Sequence, residues 1–324
     1  MPRISLIAVA ALAILPAPAA AQDWPTRPLT MVVPYPAGAG VDVVGRILSP
    51  RLSEILGQQV IVENVGGSGG MTGSARVARA APDGYAFVLG NTGTHAQNQT
   101  LYKTPLYNAA TDFAPVVLIG DTPQVLVTRK DLSADNLKDF IAHARANQAR
   151  MQYGSAGTGS PGHLTCLLLN TTIGINVTHI PYRGAAPAMQ DLLAGRIDYL
   201  CTIAPTVISQ IEGKTVKAMA ILSRDRSPSL PALVPAHEQG LADFEASTWL
   251  AFFLPKGTPA PTVKKLHDAT VAAMNIPAVQ ERLRTVGTDL AAPERRSPEY
   301  LQKFVMSEIE KWTAPIKAAG LTAE

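Results

Sequence analysis

Short apolar runs alternate with longer amphipathic segments along most of this 324-residue chain, and the alternation occurs twice. The first series is predicted as strand 29–33, helix 43–56, strand 60–63, helix 73–81 and strand 86–90. The second series is predicted as strand 151–154, helix 163–172, strand 176–180, helix 185–194 and strand 197–203. Such alternation is typical of α/β domains with a largely parallel sheet. The sequence therefore predicts two α/β units in succession.

Two further segments are candidate connections between these units. The first contains the apolar runs 116–119 and 124–128, separated by Gly120-Asp121-Thr122-Pro123, where proline is expected to interrupt the strand. The second is the extended stretch 244–254, and the amphipathic helices 262–274 and 297–316 that follow it are expected to return to the first unit. Because the chain exceeds the usual size of a single hydrophobic core, two lobes are expected.

The N-terminus has the pattern of a secretory signal. Arg3 precedes the apolar run 4–15, and Ala19-Ala20-Ala21 offers small residues to a peptidase, so we expect cleavage after Ala21. The run is about a dozen residues long, whereas a spanning helix needs roughly 20. No cysteine lies at the cleavage point to carry a lipid anchor. The mature chain, 22–324, is therefore predicted to be a free periplasmic protein.

Charge and cysteine content exclude several classes of function. The formal net charge is +3, and loss of Arg3 with the signal lowers it to +2, which predicts binding neither to nucleic acid nor to a membrane surface. Cys166 and Cys201 are the two cysteines, too few for a disulfide-rich scaffold or a four-cysteine zinc site. Their apolar surroundings favour two buried thiols, with a disulfide as the alternative.

Four loops at strand ends are the candidate binding site, because ligands of open α/β sheets lie at the carboxyl ends of strands. Glycines in these loops permit close approach of the backbone, and helix N-termini favour anions. Asp42 is favoured as a helix cap over a ligand contact. The predicted ligand-binding residues are Tyr35, Ala37, Gly38, Ala39, Gly40, Val41 and Asp42; Asn91, Thr92, Gly93 and Thr94; Ser155, Ala156, Gly157, Thr158, Gly159, Ser160 and His163; and Tyr182 and Arg183.

Two motifs suggest enzymes instead. Residues 157–162 match the dinucleotide pattern G-x-G-x-x-G, but no acidic residue follows at the position that would bind a ribose. Residues 66–70 match the esterase pattern G-x-S-x-G around Ser68, without a recognisable acid and base. Since the histidines lack metal-binding spacing, we expect neither a metal nor a cofactor, and His95 and His163 are expected to hydrogen-bond the loop backbone.

The ordered motifs resemble those of the Bug, or TctC, family, which are extracytoplasmic solute receptors of tripartite tricarboxylate transporters. The resemblance spans nearly all of the mature chain. The residues that carry it are Val33-Pro34-Tyr35-Pro36-Ala37-Gly38 with Asp42 and Arg46; Glu63-Asn64 with Gly69-Gly70; Pro82-Asp83-Gly84-Tyr85; Asp112-Phe113-Ala114-Pro115-Val116; Ser155-Ala156-Gly157-Thr158-Gly159-Ser160 with His163-Leu164; His179-Ile180-Pro181-Tyr182-Arg183-Gly184; Asp191-Leu192 with Gly195; and Lys311-Trp312.

The resemblance implies a type II periplasmic-binding-protein fold, in which two α/β lobes joined by two crossovers close on a ligand. Lobe 1 is expected to comprise 22–122 and 243–324, and lobe 2 to comprise 123–242. The implied ligand is a small carboxylated solute held by backbone N–H groups. Ala39 and Val41 depart from the family pattern. Ala39 is expected to restrict the backbone locally, and Val41 to make the pocket floor more apolar, which favours a less polar or aromatic acid.

The implied partners are the permease subunits of a tripartite transporter, with a sensor kinase as an equally compatible partner. The receptor is expected to be monomeric and not an enzyme. The alternatives from other classes are a secreted hydrolase that uses Ser68 and a structural surface protein.

Overall fold

The computed structural model describes residues 24–224, 226–242, 244–318, 320 and 322; the predicted signal segment 1–21 lies outside them. The strands are β1 Leu29–Val33, β2 Val60–Asn64, β3 Ala86–Asn91, β4 Phe113–Arg129, β5 Gln152–Ser155, β6 Thr178–Pro181, β7 Tyr199–Ile203, β8 Val216–Ile221, β9 Ser247–Pro255 and β10 Asp289–Leu290. The helices are α1 Gly40–Leu56, α2 Met71–Ala78, α3 Asn98–Leu101, α4 Leu137–Asn147, α5 Pro161–Thr172, α6 Ala185–Leu193, α7 Ala204–Glu212, α8 Ala260–Met274, α9 Pro277–Thr285 and α10 Pro298–Ala318. No helix among these residues is long and apolar enough to cross a bilayer.

The long strand β4 takes part in two sheets and thereby connects two lobes. In the first sheet the order is β2-β1-β3-β9-β4, with β10 also paired to β4. In the second sheet the order is β4-β7-β5-β6, with β8 also paired to β4. Strands β1, β2 and β3 are parallel to one another, as are β5, β6 and β7. Their carboxyl ends, and the loops that follow them, therefore face the space between the lobes.

The expected interruption of the strand at Gly120–Pro123 is wrong, because β4 runs without a break from Phe113 to Arg129. Its pairing with β9 ends at Pro123, and its pairing with β7 begins at Gln124. The proline lies where one ladder gives way to the next, so its missing N–H is tolerated there. This strand and β9 form the two crossovers between the lobes. The residue boundaries expected for the lobes stay a prediction.

The core consists of apolar strands covered by helices. Met31 and Val33 of β1 are fully buried and pack in one cluster with Val44 and Leu48 of α1. Such continuous apolar strands are typical of parallel sheets that are covered on both faces. At the other end of the chain, α10 contacts α3 and β4 and buries Trp312.

Cys166 of α5 and Cys201 of β7 form a disulfide with a Cα–Cα distance of 5.3 Å. The favoured interpretation of two unpaired thiols is therefore wrong, although both residues are buried as expected. Strands β5 and β7 are parallel neighbours, so the helix that follows β5 packs over β7 and brings the two cysteines together. The apolar surroundings of the cysteines do not distinguish a buried thiol from a buried disulfide.

Candidate functional site

A cleft with about 510 Å³ of empty space lies between the lobes, at the carboxyl ends of the strands. Its lining comes from the starts of α1, α5, α6 and α7 and from β3, β4, β7 and β9. None of the described residues that line it carries a charged side chain. The cleft is therefore a small, mainly apolar site with a few polar groups.

Four helices begin at this cleft. Gly40 of α1, Pro161 of α5, Ala185 of α6 and Thr206 of α7 lie in the first turns of their helices and line it. Helices α1, α6 and α7 have no side-chain cap, so no capping side chain occupies the first-turn N–H groups. Open N–H groups and the positive end of the helix dipole favour an anion. This arrangement can hold a carboxylate without a cationic side chain.

The loop before α1 is held from behind by Asp42, which is buried. Its carboxylate accepts hydrogen bonds from the Gly38 N–H at 2.8 Å, from Arg46 Nε at 2.9 Å and from Asn64 Nδ2 at 2.9 Å. Burial alone would raise the pKa of Asp42, but these hydrogen bonds outweigh it and hold the pKa below its usual value. The expected capping position is wrong, because Ala39 is the N-cap residue. Asp42 instead reaches back to the preceding loop.

Asn91 is positioned in the cleft wall by its neighbours. The Tyr35 hydroxyl lies 3.1 Å from Asn91 Nδ2 and 3.2 Å from the Gly69 carbonyl oxygen. The Thr94 N–H donates to Asn91 Oδ1 at 3.0 Å. Burial raises the pKa of Tyr35, so its hydroxyl stays protonated. The Thr92 side chain does not line the cleft. Its hydroxyl accepts a hydrogen bond from the Trp249 N–H at 3.0 Å and thereby links the end of β3 to β9.

The second-lobe loop contacts two adjacent histidines, His163 and His179, whose ring centroids are 4.1 Å apart. Ser155 Oγ lies 2.7 Å from His179 Nε2 and 3.1 Å from the Gly157 N–H nitrogen. His163 Nδ1 accepts from the Gly159 N–H, which confirms the expected bond to the loop backbone. Burial lowers the pKa of His179 to about 4, and burial together with the neighbouring His179 lowers that of His163 to about 3. Both imidazoles are therefore neutral at physiological pH.

His95 differs from its prediction. Its Nδ1 contacts the Thr94 hydroxyl at 2.8 Å rather than the loop backbone. The ring is fully buried and stacks on Phe253 with a centroid distance of 3.9 Å. Burial lowers its pKa to about 3. It is therefore a core residue behind the site.

The cleft opens into a wider mouth that is lined by Tyr102, Thr158, Tyr182 and Arg183, among others. Arg183 is exposed and is the one charged side chain among the described residues that line this mouth. The Tyr102 hydroxyl donates across the mouth to the Thr158 carbonyl oxygen at 3.2 Å. A solute that enters therefore passes a single cation.

The structure brings many of the predicted residues together and separates others. Those that line the cleft are Tyr35, Ala39, Gly40, Val41, Asn91, Ser155, Ala156 and Ser160. Those at the mouth include Gly157, Thr158, Tyr182 and Arg183. Those that line neither are Ala37, Gly38, Asp42, Thr92, Gly93, Thr94, Gly159 and His163.

Sequence reasoning missed the side chains that line the cleft from the crossover strands and from the β7–α7 junction. Gln124 and Thr248 lie on β4 and β9, while Ile203 and Thr206 lie where β7 passes directly into α7. This junction has no glycine-rich loop. A signal was nevertheless present, since Pro205 follows an apolar strand and is typical of a first helical turn.

The two lobes touch around the cleft. A Cβ atom added at Gly40 would lie 2.6 Å from Ile203 Cδ1, and one added at Gly69 would lie 2.6 Å from the Gly159 carbonyl carbon. Each pair joins opposite sides of the cleft. The structure is therefore a closed arrangement.

Two α/β lobes, two crossovers and a cleft at the strand ends define a solute-binding receptor of the periplasmic-binding-protein class. The chain belongs to the tripartite tricarboxylate transporter receptor family: the family model described as "Tripartite tricarboxylate transporter family receptor" matches residues 44–321.

Two curated relatives match over nearly their whole length. The UPF0065 protein in the TAR-I ttuE-ttuC' intergenic region of Agrobacterium vitis is 40% identical, covering 95% of this chain and 89% of the relative. Protein BugT of Bordetella pertussis is 35% identical, covering 96% of this chain and 94% of the relative.

Three solved structures share the fold. Periplasmic binding protein BugD is 37% identical with a TM-score of 0.89, covering 93% of this chain and 100% of that chain. MatC from Rhodopseudomonas palustris, with bound malate, is 34% identical with a TM-score of 0.87, covering 90% and 100%. R. palustris Rpa4515, with adipate, is 33% identical with a TM-score of 0.88, covering 92% and 99%. These proteins are solute-binding receptors and not enzymes, so the hydrolase interpretation of Ser68 is set aside.

Proposed function

We propose that this chain is a periplasmic receptor that captures a small carboxylated solute by closure of its lobes. The observation that carries the proposal is the convergence of four helix N-termini on a cleft whose described lining has no charged side chain. Backbone N–H groups and helix dipoles can hold a carboxylate there. Val41, Ala188 and Leu200 offer apolar contacts to the carbon skeleton of the solute. Two related solved structures, MatC with bound malate and Rpa4515 with adipate, support this ligand class.

The wider role follows from the family. We propose that the closed, loaded receptor docks as a monomer on the permease subunits of a tripartite transporter, with no bond made or broken.

Export is proposed to remove residues 1–21. N-terminal sequencing of the periplasmic form should then begin at Gln22, and a cytoplasmic, uncleaved chain would contradict the export step.

A thermal-shift screen of the mature protein tests the ligand class. The panel comprises mono-, di- and tricarboxylates, amino acids and aromatic acids, each paired with its neutral amide as a matched control. A ligand at 100 times its dissociation constant stabilises the folded state by about 2.7 kcal/mol. We expect a few related acids to raise Tm and their amides to have no effect. Equal shifts with the amides, or no shift with any acid in folded protein freed of ligand, would contradict the proposal.

A further inference from the structure

One residue that lines the cleft, Gln124, has a buried amide oxygen without a hydrogen-bond partner among the described residues. Gln124 lies on β4, at the residue where pairing with β7 begins, and its fully buried side chain lines the cleft. Its Nε2 donates to Thr248 Oγ1 at 2.8 Å, whereas its Oε1 has no hydrogen-bond partner among the described residues. A buried acceptor without a hydrogen-bond partner destabilises the folded protein. A ligand that donates a hydrogen bond to Oε1 removes this cost.

Thr248 supplies the complementary group. Its Oγ1 accepts from Gln124 and keeps its own proton for donation. The backbones on either side are already fixed, because the Thr248 carbonyl oxygen accepts from the Thr122 hydroxyl and the Gln124 carbonyl oxygen accepts from the Leu222 N–H. The pair therefore presents one acceptor and one donor from two rigid crossover strands.

Three other polar side chains that line the cleft are held by hydrogen bonds to protein groups. Asn91 Oδ1 accepts from the Thr94 N–H, Ser155 Oγ contacts His179, and Ser160 Oγ accepts from the His163 N–H. Among the described residues that line the cleft, Gln124 is the one with a buried side-chain oxygen that lacks a partner. Gln124 therefore offers the ligand a hydrogen-bond acceptor, whereas the helix N-termini offer donors that suit a carboxylate.

We propose that Gln124 and Thr248 select hydroxy acids among the small carboxylates that the cleft admits, an inference that rests on the proposed function. A ligand hydroxyl donates to Gln124 Oε1 and accepts from the Thr248 hydroxyl, so one group satisfies both. A methylene in its place leaves Oε1 unpaired. A second carboxylate in its place brings negative charge against an acceptor oxygen.

Isothermal titration of matched acid pairs tests the inference. The probes are malate with succinate, 3-hydroxybutyrate with butyrate, and lactate with propionate. For the pair that fits the cleft, we expect the hydroxy acid to bind the wild-type protein roughly 5- to 100-fold more tightly, as expected for an unpaired buried acceptor. In Gln124→Met that ratio should fall to within about twofold of unity, because the apolar side chain has no preference for a hydroxyl.

Gln97→Met is the matched control. Gln97 is also buried and its Oε1 also lacks a partner, but it does not line the cleft, so its replacement should leave the ratio unchanged. If Gln124→Met does not fold, Thr248→Val tests the same pair from the donor side and should also reduce the ratio. Equal binding of both acids by folded wild-type protein would overturn the inference while leaving the carboxylate receptor standing.

A preference for succinate over malate that is lost in Gln124→Met would also overturn the inference. It would mean that the amide presents Nε2 to a second carboxylate instead of Oε1 to a hydroxyl. Failure of every carboxylate to bind would overturn the proposed function and this inference with it. The two failures are therefore distinguishable in one set of titrations.

Discussion

At the scale of single residues, the buried carboxylate of Asp42 holds the loop whose backbone forms one wall of the cleft. Asp42→Ala would leave the Gly38 N–H, Arg46 and Asn64 without their common acceptor. We expect the free energy of unfolding to fall by about 1 to 3 kcal/mol, since the hydrogen bonds of a buried, charged acceptor are lost. Urea unfolding measures this, and titration of the ligand should show weaker binding as the loop loosens.

Glu54→Ala is the control for this loss, because Glu54 pairs with Arg51 on the exposed side of the same helix. Exposed pairs contribute about 0 to 1 kcal/mol, so stability and affinity should change little. If both variants lose equal stability, the burial of Asp42 does not matter and this account is wrong.

The buried histidines make stability depend on pH. The pKa values of His95 and His163 are lowered to about 3 and that of His179 to about 4, against about 6.5 in an unfolded chain. Between these values the unfolded chain binds protons that the folded protein does not. Stability is therefore complete above about pH 6.5 and falls as the pH drops, by about 1.4 kcal/mol per pH unit for each histidine.

His179→Gln separates this effect from that of the carboxylates, because glutamine can still hydrogen-bond Ser155 but does not titrate. Urea unfolding between about pH 7 and pH 5 should show a shallower dependence of the free energy of unfolding on pH in the variant, with a difference that approaches one proton near pH 5. Equal slopes would show that His179 does not carry part of the pH dependence.

The residues of the site that act through their backbone were easier to predict from the sequence than those that act through side chains on strands. Glycine-rich loops after strands reveal backbone donors, and Gly40 and Ser155 were predicted for that reason. Gln124 and Thr248 lie within strands rather than in glycine-rich loops, and only the pairing of β4 with β9 and β7 brings them to a common cleft. Gln124 and Thr248 are 124 residues apart in the sequence, so no local pattern reveals their contact.

At the scale of elements, strands were predicted more closely than their connections. Strand β1 has the predicted bounds, because its mainly apolar run of five residues is followed directly by Pro34. Helix α1 begins three residues before its predicted start, since Gly40 and Val41 belong to the helix although they were assigned to the glycine-rich loop. Helix α7 was not predicted, because no loop separates it from β7.

The disulfide fastens α5, whose first turn lines the cleft, to β7. It closes a loop with a sequence separation of 35 residues, and the chain-entropy relation for such a loop gives about 4 kcal/mol of stabilisation. Reduction should therefore lower Tm, as measured by thermal unfolding with and without reductant. The double variant Cys166→Ala, Cys201→Ala should start from the lower Tm and be insensitive to reductant. A wild-type Tm that is indifferent to complete reduction would contradict a stabilising role.

At the scale of the whole molecule, closure requires the absence of a side chain at Gly40. A Cβ there would lie 2.6 Å from Ile203 Cδ1 and 2.8 Å from Thr206 Oγ1, which belong to the other side of the cleft. When the lobes are apart, alanine fits a helix start at least as well as glycine. Gly40→Ala should therefore keep or raise the Tm of the ligand-free protein while opposing closure.

We expect Gly40→Ala to weaken ligand binding about tenfold or more, the effect of an overpacked contact of 1 to 3 kcal/mol. Small-angle scattering should show that saturating ligand lowers the radius of gyration of the wild-type protein but not that of the variant.

Gly45→Ala is the matched control on the same helix, because its Cβ would contact Met31 and Val33 within one lobe, at 3.2 and 3.3 Å. It should alter Tm and leave both closure and affinity intact. A clash within one lobe affects folding, whereas a clash between the lobes affects closure. Unchanged ligand affinity in Gly40→Ala would therefore mean that binding does not require the contact between Gly40 and Ile203.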